Sequence, residues 1–128
     1  MLKFTYAETG IHLERLTQSL EATIVQRVLL AVRAEKTLLL QSGTASFLLP
    51  DTLPELSRLL EIAIQSDEQI CLYRGDADFV EICLHGIWLS SDVNSDEGVF
   101  LSDLTEAAEC LIAHSWQAFV SQQSSLIR

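Results

Sequence analysis

The residues best placed to do chemistry lie in one acidic stretch, from Asp92 to Asp103. Oxygen-bearing side chains stand at its first, third, fifth and twelfth positions, Asp92, Asn94, Asp96 and Asp103, with the apolar Val99 at the eighth. This is close to the calcium-loop pattern D-x-[DN]-x-[DN]-G-x5-E. A cation of calcium's size takes six to eight oxygens at about 2.3–2.6 Å, and alternate residues of a curled loop can turn their carboxylates inward together. Two departures weaken the pattern. Glu97 stands where the loop wants glycine, and a sharp turn there would force a side chain toward positive φ at about 1 kcal/mol. Asp103 is also shorter than the usual bidentate glutamate. The expectation is a Ca2+ site of low affinity, with Kd roughly 10⁻⁵ to 10⁻³ M. The competing reading is a solvated turn between strand and helix, which calls for the same Asp, Asn, Ser and Gly residues. Asp76 and Asp78 form a second short acidic pair that could assist if folded nearby.

Other chemistry finds less support. There is no G-x-S-x-G elbow and no glycine-rich phosphate cradle, and Ser42-Gly43-Thr44 is too short to be one. His12, His85 and His114 are far apart, and none has a cysteine or second histidine at metal-ligand spacing. His85, at the end of an apolar run, reads as a packed strand residue. Cys71, Cys83 and Cys110 are odd in number, widely spaced and set among apolar neighbours, so they read as buried, reduced thiols. Arg74-Gly75-Asp76 reads as a hairpin turn. Carboxylates are so abundant after residue 50 that no single acid/base pair stands out, and the chain reads as non-enzymatic.

Charge is unevenly distributed. Five basic and four acidic side chains leave residues 1–50 at +1, whereas three basic and fourteen acidic leave residues 51–128 at −11. That field repels phosphate backbones, and Lys3, Arg15, Arg27, Arg33 and Lys36 form no dense cluster, which argues against nucleic-acid binding. No apolar run is long enough to span a bilayer, and the start Met1–Tyr6 lacks the apolar core of a signal peptide. No membrane association is expected, and the cytoplasm is the expected compartment. With 128 residues and 48% apolar side chains, burial should be generous enough for one core and a subunit interface.

The elements that must position these residues follow from periodicity. Leu2, Phe4 and Tyr6 alternate with Lys3 and Thr5 as in a half-buried strand, and Glu8-Thr9-Gly10 reads as a turn. From Ile11 to Ala34, Leu13, Leu16, Leu20, Ile24, Val28 and Ala31 recur at steps of three and four, which predicts helix. The β-branched residues in 22–34 offer the alternative of a strand pairing with 37–41. Residues 38–40 and 45–49 read as a hairpin turning at Ser42-Gly43-Thr44. Asp51-Thr52-Leu53-Pro54 opens a helix with Leu56, Leu59, Leu60 and Ile64 on one face, ending near Gln65. Residues 70–73 and 79–90 form a second hairpin, and Val99–Leu101 rejoins the sheet. A last helix, capped by Ser102 or Asp103, carries Leu104, Ala108, Leu111, Ile112, Trp116, Phe119 and Val120 in a stripe.

The sequence therefore predicts a single α+β domain over 1–128, an antiparallel sheet of about five or six short strands packed against two or three helices. Its expected role is that of a small acidic cytoplasmic protein that binds a divalent cation. The alternative is an adaptor or regulatory subunit that holds a protein partner, or dimerises, through one face of residues 20–34 or the Trp116/Phe119 stripe.

Overall fold

The computed structural model describes residues 1–65, 70–74, 78–91 and 96–127. Among the described residues six antiparallel strands form one sheet, accompanied by three helices, so the α+β class is as the sequence predicts. In chain order the elements are β1 (Leu2–Ala7), β2 (Gly10–Arg15), α1 (Leu20–Arg33), β3 (Leu39–Pro50), α2 (Leu56–Gln65), β4 (Ile70–Tyr73), β5 (Phe79–Ser90), β6 (Gly98–Ser102) and α3 (Glu106–Ile127). The strand order is β2-β1-β6-β5-β3, and β4 also pairs with β5. The chain divides into two compact units, Met1–Thr44 with His85–Asp103, and Ala45–Leu84 with Leu104–Arg128.

In the first unit, β1 pairs antiparallel with β2 on one side and β6 on the other, Phe4 facing Leu13 and Phe100 in the two registers. Alternation sends neighbouring residues of a strand to opposite faces. On one face Met1, Leu89, Val99 and Leu101 form a core against which Leu20 and Ile24 of α1 pack, with Leu16, Leu38 and Ile87. On the other, an aromatic series runs from Tyr6 to Trp88 at 5.0 Å between ring centroids, Trp88 to Phe100 at 4.8 Å and Phe100 to Phe4 at 6.0 Å. Ser102, fully buried, donates from its hydroxyl to the carbonyl of His85 at 3.0 Å.

The helical reading of 20–34 holds, but Ile11–Arg15 is strand β2, not the start of that helix. The hairpin turn allows this: Ala7 faces Gly10 across Glu8 and Thr9, and Gly10 takes φ 122°, open only to glycine without strain. Pairing with β1 then outweighs a helical pattern that rested on Leu13 and Leu16. The helix starts later, at Ser19, whose Oγ accepts from the Ala22 amide at 3.1 Å. It closes in a Schellman motif, the Lys36 amide reaching Ala31 O at 2.9 Å and the Glu35 amide Val32 O at 3.1 Å, with Glu35 at φ 55°.

The hairpin expected within 38–49 is instead one twelve-residue strand, β3. Gly43 is there for close approach, not for a turn: a Cβ at this position would lie 3.2 Å from Trp88 Cδ1.

In the second unit, β4 pairs with the first half of β5, Ile70 opposite Leu84, as the second predicted hairpin requires. Residues 75–77, including Gly75 and Asp76 of its turn, lie outside the described residues. Its core includes Leu49, Leu59, Ile70, Ile82, Leu84, Ala108 and Ile112, and α2 contacts both α3 and β4. Phe47 meets Trp116 edge-on at 5.7 Å, and Trp116 meets Phe119 at 6.2 Å. The cap of α3 is Thr105, whose Oγ1 accepts from the Ala108 amide at 3.4 Å. Neither Ser102 nor Asp103 takes that role, since Ser102 still belongs to β6.

Candidate functional site

Of the four proposed calcium ligands, Asp92 and Asn94 lie outside the described residues, and Asp96 and Asp103 are both exposed. The strand β6 stands between these two. Its five residues in extended conformation separate Gly98 from Ser102 by about 13 Å, so the structure does not bring Asp96 and Asp103 together. Glu97, at the loop's sixth position, accepts through Oε1 from the Glu8 amide at 3.3 Å. Among the described residues no group of three or more His, Cys, Asp or Glu side chains is placed to hold a metal ion.

The cysteines are free but not buried as expected: Cys71 and Cys110 are exposed and Cys83 is half-buried. Cys71 and Cys83 stand directly opposite one another across β4 and β5. The hairpin was legible in the sequence, but the register that makes these residues partners was not. His85 is exposed on β5 rather than packed. His12 lies 3.2 Å from Thr9 Oγ1, and His114 on α3 pairs with Glu55 at 3.0 Å.

A cavity of about 610 Å³ opens in the second unit, walled by Leu53, Leu56 and Leu60 on one side and Leu72 and Val80 on the other, with Asp51, Tyr73 and Arg74 among its lining residues. That volume falls in the range of small-molecule sites. Its local frame is fixed by the Asp51 amide, which donates to the Asp78 carbonyl at 3.0 Å. Asp51 and Arg74 give this lining one acidic and one basic side chain beside its leucines. The first unit has a smaller concavity of about 320 Å³, where Arg27 of α1 and Glu97 contribute opposite charges.

The broadest chemical feature of the first unit is α1 itself. Leu20, Ile24, Val28 and Ala31 recur at helical spacing on its inner side, where Leu20 and Ile24 meet the core. Ala22, Val25, Leu29 and Val32 repeat at steps of three, four and three on the side away from it. Val25 is 53% exposed, Leu29 51% and Val32 68%, and Leu30, on another side of the helix, is 55% exposed. A helix apolar on both sides is normally enclosed on both.

Comparison with known proteins gives one relationship. The family model described as Alr0857-like matches residues 1–120, and the chain belongs to that family. No curated protein and no solved structure matches it. No helix among the described residues is long and apolar enough to cross a membrane.

Proposed function

We propose that this member of the Alr0857-like family is a non-catalytic cytoplasmic interaction subunit that pairs with a second copy of itself through the outer face of α1. The carrying observation is the exposed stripe Ala22, Val25, Leu29 and Val32 opposite a face already used by the core. Large aliphatic side chains at contiguous helical positions are the usual content of a protein interface.

Charge favours a like partner. Residues 1–50, which contain α1, carry five basic and four acidic groups, so two copies meeting here face little net repulsion. Exposed Glu21 lies in the first turn and exposed Arg33 in the last. An isologous antiparallel crossing centred near Arg27 sets Val25 against Leu29, Ala22 against Val32 and Glu21 against Arg33 of the other copy. The apolar stripe and its charged rim are then both self-complementary.

Light scattering across a concentration series tests this, with a mass of twice the 14.3 kDa chain expected. Leu29→Asp should leave a folded monomer. Glu21→Arg and Arg33→Glu should each weaken the dimer a few-fold, and their combination should restore it, since rim pairs are worth about 0.2–1 kcal/mol each and twofold symmetry supplies two. A monomer at every concentration would sink the reading.

A further inference from the structure

We propose that Cys71 and Cys83 form a reversible cross-strand disulfide by exchange with a low-molecular-weight disulfide such as oxidised glutathione, making the β4–β5 hairpin a redox-responsive element.

Register carries the argument. Cys71 faces Cys83 directly in the antiparallel pairing of β4 with β5. Directly opposed residues of an antiparallel pair share a sheet face, with Cα atoms about 4.5–5.5 Å apart, within the about 4.4–6.8 Å that a disulfide spans. Both thiols are free, so the pair is geometrically ready and chemically unspent. Their accessibilities divide the labour. Cys71 is exposed and open to an external disulfide, whereas Cys83 is half-buried beside it.

Glu81 and Tyr73 complete the same face, opposite each other two pairs along. The Cys83 thiol donates to Glu81 Oε1 at 3.7 Å. Burial first, then the adjacent Glu81 carboxylate, push the Cys83 thiol above its usual range, which leaves the exposed Cys71 as the first of the two to meet an external disulfide. The Cys71 thiolate, its proton lost to water, attacks one sulfur of the glutathione disulfide. A Cys71–glutathione bond forms as the glutathione disulfide breaks, releasing one glutathione thiolate. Cys83, its proton lost to water, then attacks the Cys71 sulfur, and the second glutathione thiolate leaves. Both thiolates are reprotonated from solvent. Two protein thiols are oxidised by two electrons, and one small disulfide is reduced to two thiols. Leu72, Tyr73 and Val80 of the same hairpin line the cavity of the second unit, so the bond would fasten the strands that form one of its walls.

The test equilibrates the full folded chain with reduced and oxidised glutathione, quenches with acid, alkylates free thiols and maps tryptic peptides without reduction. Arg74 separates the two cysteines, so trypsin yields residues 59–74 with Cys71 and 75–128 with Cys83 and Cys110. The expected product is these peptides joined within one chain, lighter by two hydrogens, retained in Cys110→Ser, absent from Cys71→Ser and Cys83→Ser, and reversed by dithiothreitol. The proposal is overturned if Cys110→Ser loses the link, if the bond joins two chains, or if the thiols stay free or stop at mixed disulfides with glutathione. The wild type and Cys110→Ser alone decide between these, whether or not the other two variants fold.

Discussion

Gly86 of β5 lies with its Cα against the backbone of Leu101 on β6: an added Cβ would meet the Leu101 carbonyl oxygen and come within 2.8 Å of Phe100 Cζ. The strands approach this closely only because no side chain intervenes. Since the obstruction is backbone, Gly86→Ala must push β5 from β6. A loss of about 2–3 kcal/mol is expected, read as a lower urea midpoint. A midpoint equal to wild type would show that β6 yields freely at this point.

Glu35 holds the left-handed position that closes α1, φ 55°, where glycine is the usual residue. Glu35→Gly relieves a strain of about 1–2 kcal/mol but gives the unfolded chain more freedom. The net gain should be about 0.5–1 kcal/mol, seen as a higher midpoint at unchanged slope. Destabilisation would mean that the Glu35 side chain makes a contact worth more than the strain.

Burial raises the Tyr6 phenol above its ordinary value of 10.0, and the ring lies 5.0 Å from that of Trp88. A raised folded-state value means that the unfolded chain gives up this proton first. The contribution is therefore whole below pH 10 and is lost as pH climbs through the folded value. Tyr6→Phe should flatten the alkaline limb of the stability curve while leaving neutral pH nearly unchanged. Identical alkaline limbs would remove Tyr6 from the account.

Calcium provides the test of the acidic loop. With Asp96 and Asp103 at opposite ends of β6, calorimetric titration should give only heat that raised salt erases, as expected of diffuse attraction to an acidic surface. Saturable, calcium-selective heat that survives salt and disappears in Asp92→Ala with Asp96→Ala would restore a chelating site.

What could be read in the sequence was local. The step-three and step-four recurrence of Leu20, Ile24, Val28 and Ala31 marked α1 despite its β-branched residues, because a helix shows its own period, but the same recurrence ran back to Leu13 and placed the start too early. The β4–β5 hairpin, α2 and the strand at 98–102 were legible for the same reason: alternation or helical spacing lay between turn residues. The charge asymmetry was also complete in the sequence.

Tertiary structure decided what depends on distant partners. Residues 11–15 pair as a strand with β1, and 39–50 run as one strand beside β5 in the sheet, with Trp88 close against Gly43. Trp88 and β5 lie far along the chain from Gly43, whereas the β1–β2 hairpin is local and was hidden by the helical spacing of Leu13 and Leu16. The placement of Cys71 opposite Cys83 is a matter of register, fixed by the whole β4–β5 pairing rather than by either cysteine's neighbours. The sequence also marked Val25, Leu29 and Val32 as apolar, but burial belongs to surroundings rather than to residues. Only the fold could leave that side of α1 in solvent while its other side met the core.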